Sequence, residues 1–172
     1  NIILPYSFAP NHKNHTGPCE LEGSPSAMGE AFGERFRDEI RAFADSRADH
    51  LAEFIVKYDE GRTVSREHMR DVARALLPAH REFDARVWDE FSGIAAAAGL
   101  AEEDLLIANG LTDIRDLILF ENPTPAGAVP VSGADDGECT SFLVPASETE
   151  KGPMLGQTWD MHPDAIDFLV IV

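Results

Sequence analysis

The sequence is poor in cysteine, in lysine and in long apolar runs. Its 172 residues include two cysteines, Cys19 and Cys139, so at most one disulfide could form and a disulfide framework is excluded. No apolar run approaches the ~20 residues that are needed to cross a bilayer. The first ten residues lack the basic start and the small-residue cleavage site of a signal peptide. We therefore expect a cytoplasmic protein with no membrane partner.

Basic residues are scarce as well. Lysine and arginine total 14 against 31 aspartates and glutamates, which gives a formal net charge of −17. Nucleic acid and anionic membranes attract basic surfaces, so neither is expected as a partner. A cationic substrate or a high-salt habitat would explain the charge, but a solvated acidic surface is the simpler interpretation.

The first part of the chain has helical spacing. Ser24 followed by Pro25 is typical of a helix start, and apolar residues then recur every three or four positions. These residues are Met28, Phe32, Phe36, Ile40 and Phe43. The segment His50–Tyr58 continues or restarts this helix, and Gly61 is expected to end it.

Further helices follow. Ser65 indicates the start of a helix that runs through Leu77, and Pro78 is expected to kink or break it. The next apolar stripe ends at Gly99, and Glu102–Asn109 and Leu111–Leu119 complete the helical part. The stripe consists of Phe83, Val87, Trp88, Phe91, Ile94 and Ala95.

The character of the sequence changes at residues 121–138, where three prolines and three glycines predict an exposed, flexible connector. Strands are then expected at Cys139–Val144, Met154–Trp159 and Ile166–Val172. The chain thus divides into a helix-rich segment, 1–138, and the start of a β-rich part, 139–172. Because three strands make a thin sheet, we expect more chain after Val172 or a partner subunit that supplies the missing strands.

Cys139 is the candidate for chemistry, because it lies where the flexible segment meets a strand. If Val144 pairs with Met154, Cys139 lies opposite Trp159 and Asp160 follows one step beyond. A slip of one residue would place Asp160 directly opposite. In both registers a carboxylate lies beside the backbone of Cys139, where it can orient an α-amine.

Metal binding is not expected. The histidines His12 and His15 lie near Cys19, but they lack a fourth ligand and a recognised zinc spacing, which makes a plain loop the better interpretation. The nearest histidine to Cys139 is His162, and it shows no papain-like signature.

Two motifs resemble the penicillin acyltransferase-like family of N-terminal-nucleophile (Ntn) hydrolases, peptidase family C45. They are Gly137-Glu138-Cys139-Thr140-Ser141-Phe142 and Gly156-Gln157-Thr158-Trp159-Asp160. Upstream, the stretch from Gly23 to Gly29 with Gly33, and the stretch from Ala98 to Asn109, are similar too. Glu138 stands where many relatives have glycine, and Thr158 stands where asparagine is commoner.

The resemblance implies an α+β fold, a four-layer αββα sandwich, and a self-processing enzyme without a cofactor. Cleavage would separate Glu138 from Cys139, which becomes the nucleophile, and Asp160 would hold its amine. Thr140, Thr158 and Trp159 would line the oxyanion site or the pocket. The substrate would be a small amide or an acyl thioester, and a homo-oligomer is compatible with this assignment.

Two alternatives remain open. The chain could be an unprocessed or degenerate family member, or a fragment, that serves as a binding or assembly module. It could also be a thiol amidase that uses Cys139 with His162 and is not cleaved.

Overall fold

Helices dominate the part of the chain that the computed structural model describes, residues 19–59, 62–121 and 139–158. Within these ranges six α-helices precede one antiparallel hairpin, so the architecture is α+β and rich in helix. The helices are α1 (Pro25–Arg35), α2 (Arg37–Tyr58), α3 (Arg66–Phe83), α4 (Ala85–Ala98), α5 (Glu102–Asn109) and α6 (Leu111–Glu121), and the strands are β1 (Ser141–Val144) and β2 (Met154–Gln157).

The ends of several helices are set by local signals that the sequence carries. The Ser24 hydroxyl accepts the Ala27 N–H at 3.3 Å, with proline as the first helical residue. The Ser65 hydroxyl accepts the His68 N–H at 3.1 Å in the same way. Both satisfy a backbone donor that the first turn would otherwise leave unpaired. Gly99 ends α4 with φ 70°, a conformation that favours glycine. These predicted starts and this end are confirmed, as is the helix at Glu102–Asn109.

The structure limits two predictions about the middle helices: of the kink or break expected at Pro78 the break does not occur, and the second apolar stripe is not buried along its whole length. Helix α3 continues through Pro78 to Phe83, and the break falls at Asp84, whose carboxylate accepts the N–H groups of Arg86 and Val87 at 2.8 and 3.4 Å. The first two residues of the second predicted apolar stripe are not buried: Phe83 is 85% exposed and Val87 is 59% exposed. Asp84 has an extended backbone, with φ −154° and ψ 118°, so the helical spacing does not continue from Phe83 into α4.

The first predicted stripe is divided between two helices. Phe36 separates α1 from α2 with φ −113°, although no proline or glycine stands there. Its side chain is 1% exposed, and its ring lies 4.8 Å from that of Phe32, centroid to centroid. The stripe is therefore confirmed at its centre, while the expected continuous helix is not.

Glycines allow α1 and α4 to pack backbone against backbone. A Cβ atom on Gly29 would lie 2.1 Å from the carbonyl oxygen of Glu90, and one on Gly93 would lie 2.7 Å from that of Ser26. A Cβ atom on Gly33 would likewise lie 2.7 Å from the carbonyl oxygen of Ile94. The upstream stretch that carries the family resemblance around Gly29 therefore has a packing role here.

The main apolar core lies between α2, α3, α5 and α6. Its buried members are Ala48, Leu51, Ile55, Met69, Val72, Ala73, Leu77, Leu106, Ile107, Leu111, Ile114 and Ile118. Trp88 and Phe91 of α4 pack against this core, which confirms the core interpretation of the second stripe at these positions. Among the helices of the described ranges, none is both long enough and apolar enough to span a bilayer.

The hairpin is shorter than predicted at its open end. Strand β1 begins at Ser141, so Cys139 and Thr140 precede it, and β2 ends at Gln157. A turn of 3-10 helix at Ala146–Glu148 and Gly152, with φ 102°, lie in the connection. The predicted third strand, Ile166–Val172, and most of the predicted connector lie outside the described residues. Glu121, where the connector was expected to begin, is the last residue of α6.

Candidate functional site

The two cysteines differ in accessibility. Cys139 carries a free, exposed thiol two residues ahead of β1, whereas Cys19 is 3% exposed. A nucleophile must be reachable by its substrate, while a buried free cysteine behaves as a small apolar side chain. Of the two, Cys139 is the one that is open to chemistry.

The register of the hairpin is the one from which the position of Cys139 was predicted. Val144 pairs with Met154 and Ser141 pairs with Gln157. Beyond the strands, the Thr158 N–H donates to the Thr140 carbonyl at 2.8 Å, which continues the ladder by one step. Of the two registers that the sequence left open, the structure therefore has the one in which Val144 pairs with Met154. Four residues that were predicted to lie near Cys139 are outside the described residues, so their positions relative to its thiol are not described. They are Glu138, Trp159, Asp160 and His162.

The two threonines that were predicted to line the site are in direct contact. The Thr158 hydroxyl accepts the Thr140 N–H at 2.9 Å, and it lies 3.4 Å from the Thr140 carbonyl oxygen. Together with the backbone bond, these contacts hold the residue that follows Cys139. The Thr140 N–H already donates to the Thr158 hydroxyl. It could therefore stabilise an oxyanion only if this hydrogen bond were broken first.

Gly156 has a steric reason to be glycine. A Cβ atom at this position would lie 2.2 Å from Cζ of Phe142, the residue paired with it across the hairpin. The aromatic ring therefore covers the glycine, a cross-strand arrangement that fixes the side chain of Phe142 over β2. The glycine of the downstream motif and the phenylalanine of the cysteine motif form one packing unit.

The hairpin presents apolar side chains on both of its faces. Phe142 and Met154 share one face, where they are 52% and 55% exposed, and Leu143 and Leu155 share the other, at 70% and 79%. A solitary two-stranded hairpin is only marginally stable in water. Strands that are apolar on both faces are typical of sheets with a packed layer on each side. These four side chains therefore require apolar cover on both faces.

A second polar centre lies in the helical part, and sequence reasoning missed it. Asp104 of α5 is 4% exposed and accepts two bonds from Arg70, at 3.0 and 2.8 Å, and one from Arg66 at 3.2 Å. Burial alone raises the pKa of Asp104, but the Arg70 hydrogen bond and the charges of both arginines outweigh it, so the pKa lies below its ordinary value.

A signal for this centre was present in the sequence. Arg66 and Arg70 are spaced by four residues, which places them on one face of a helix, and Asp104 stands directly before the apolar run Leu105–Ala108 in the first turn of α5. The partnership itself spans more than 30 residues, so no local pattern could reveal it. Within the described ranges no three or more histidine, cysteine or acidic side chains are grouped as a metal site would require.

Comparison of the chain with protein-family models, with curated proteins and with solved structures finds no match. The assignment to the penicillin acyltransferase-like family therefore remains a prediction that rests on the motifs around Cys139 and Gly156.

Proposed function

We propose that the chain is part of a self-processing cysteine Ntn hydrolase, which cleaves or transfers the acyl group of a small amide or thioester through a Cys139 acyl-enzyme. The observation that carries the proposal is the free, exposed thiol of Cys139, two residues ahead of a hairpin in which Phe142 of the cysteine motif pairs with Gly156 of the downstream motif. The four-layer αββα sandwich is part of the same proposal. It is supported by a hairpin that needs cover on both faces.

In the processing step, the Cys139 sulfur attacks the carbonyl carbon of Glu138. The C–N bond breaks, the thiol proton passes to the departing nitrogen, and a thioester links Glu138 to the side chain of Cys139. Water then hydrolyses the thioester, which leaves a carboxylate on Glu138 and restores the thiol. The products are two chains, and Cys139 gains a free α-amine.

In turnover, that α-amine serves as the base. An α-amine ordinarily has a pKa of ~7.7–8.0, which suits proton transfer near neutral pH. It takes the proton of its own thiol, and the thiolate attacks the substrate carbonyl to form an acyl-enzyme. Water or an amine then accepts the acyl group. In this proposal Asp160 orients the amine, and the contact between Thr158 and Thr140 holds the backbone next to the nucleophile.

Mass spectrometry of the purified chain tests the proposal. We expect two fragments that separate between Glu138 and Cys139, and an intact chain for Cys139→Ala. Cys19→Ala is the matched control, because it removes the buried thiol and leaves the exposed one; it should be cleaved like the wild type. A thioester probe should then acylate the new N-terminal cysteine.

Two results would contradict the proposal and separate its alternatives. An intact wild-type chain without thiol-dependent turnover would favour the binding or assembly module. An intact chain whose turnover is lost in both Cys139→Ala and His162→Ala would favour the uncleaved thiol amidase.

A further inference from the structure

An arginine-lined cleft lies between α2, α3 and the loop that leads from α4 to α5. Its volume is about 460 Å³, within the range of small-molecule sites. The residues that line it are Arg41, Asp45, Arg66, Arg70, Gly99, Leu100, Ala101 and Asp104. Three guanidinium groups and two carboxylates therefore surround this cleft, which makes it formally positive by one charge in a chain of net charge −17.

Most of these charges are already paired. Asp104 accepts hydrogen bonds from Arg70 and Arg66, and Asp45 accepts one from Nη1 of Arg66 at 2.8 Å. These ion pairs join α3 to α5 and to α2. Four of the five charged groups that line the cleft therefore already have a partner that holds helices together.

Arg41 is the exception. Among the described residues it has no carboxylate within ion-pair distance, although acidic residues outnumber basic ones 31 to 14. Its side chain is exposed, and its Nη1 atom lies beside Gly99, 3.7 Å from the position that a Cβ atom there would take. The surplus positive charge of the cleft is therefore located at Arg41, next to the apolar side chains of Leu100 and Ala101.

We propose that this cleft binds the carboxylate of a small organic acid, with Arg41 as its principal charged partner and the apolar part of the acid on Leu100 and Ala101. A guanidinium presents two parallel N–H groups that match a carboxylate. One negative charge neutralises the cleft, whereas a doubly charged phosphate leaves it negative in an already acidic protein. The site is independent of Cys139 and of the proposed hydrolase activity.

Titration of the whole Cys139→Ala chain with butyrate, followed by NMR, tests the site. We expect saturable shifts of the Gly99 and Leu100 amide signals at millimolar butyrate and constant ionic strength. Butyramide has the same shape without the charge, and it should bind about two- to fivefold more weakly, since a charge pair with the exposed Arg41 is screened by solvent. Inorganic phosphate should bind more weakly than butyrate.

Matched arginine variants locate the charge. Arg41→Gln should weaken butyrate binding about two- to fivefold, because Arg41 is exposed and solvent screens its charge, while thermal stability stays unchanged because no ion pair is lost. Arg37→Gln removes an exposed arginine from the same helix, one turn away and outside the cleft, and should bind like the wild type. Arg41→Lys should fall between the two, because lysine keeps the charge and loses the planar pair of donors.

Several outcomes would overturn the inference. One is the absence of saturable shifts with butyrate, and another is equal affinity for butyramide. Unchanged binding in Arg41→Gln, or an equal loss in Arg37→Gln, would show that the interaction is not made by Arg41.

Discussion

Replacing Gly29 by alanine tests the close approach of α1 and α4. In an isolated helix this change is favourable by about 1 kcal/mol, because alanine has the higher helix propensity. In the folded chain the new methyl group would lie 2.1 Å from the carbonyl oxygen of Glu90 and 2.9 Å from its carbonyl carbon. Both are backbone atoms, so the clash cannot be relieved by rotating a side chain. We therefore expect the sign of the effect to be reversed.

The expected magnitude follows from the separation that the two helices must adopt. To restore normal contact they have to move apart locally by about 1 Å, and a gap of that size removes a quarter to a half of each contact energy along the interface. Overpacking of this kind costs about 3 kcal/mol. After subtracting the propensity gain of about 1 kcal/mol, we expect Gly29→Ala to lower the free energy of unfolding by about 2 kcal/mol.

Urea denaturation followed by far-UV circular dichroism measures this difference. The experiment uses the Cys139→Ala background, so that the chain stays whole. Ala31→Gly is the matched control, because Ala31 is exposed on the same helix and reports propensity alone, with an expected loss of about 1 kcal/mol. An unchanged or raised stability for Gly29→Ala would refute the packing of α1 on α4.

Two further predictions concern the polar contacts. Asp104→Asn should lower the free energy of unfolding at neutral pH by about 2–3 kcal/mol, since it weakens charged hydrogen bonds from Arg70. Because the pKa of Asp104 is lowered by folding from its ordinary value of 3.8, the stabilisation is complete above that value and is lost as the pH falls through the folded-state pKa. The difference between wild type and variant in urea denaturation should therefore shrink below about pH 4, and a constant difference would contradict the ion pair. Thr158→Val removes the acceptor of the Thr140 N–H and should speed hydrogen exchange at that amide about fivefold, whereas Thr158→Ser should retain protection. Equal exchange in all three chains would mean that Thr158 does not hold Thr140.

The hairpin shows how far local sequence could predict the candidate site. Apolar residues on either side of a connection that begins and ends with proline were enough to predict a hairpin, but they left two registers open. In the structure Val144 pairs with Met154, the first of the two. The contact between Thr158 and Thr140 follows from that register. The ring of Phe142 over Gly156 was not predicted, because it depends on a side-chain direction rather than on the order of residues.

The helical part shows where sequence patterns fail. Pro78 was expected to kink or break α3, and no break occurs, because the helix continues for five more residues. Contacts on both sides of the proline hold the helix together here, since Leu77 before it is buried and the Arg81 guanidinium after it lies over the Trp88 ring at 4.6 Å. Such contacts can offset the backbone hydrogen bond that proline removes.

The sequence by itself determined the helix starts at Ser24 and Ser65, the end at Gly99 and the presence of the hairpin, because caps and turns act between residues that are a few positions apart. It left the register of the hairpin open between two pairings, and the structure decided it. Only the tertiary structure decided the break at Phe36, the close approach of α1 to α4 and the pairing of Asp104 with two arginines. These features depend on groups that are distant along the chain and meet only when the helices pack, so their energies have no local signature.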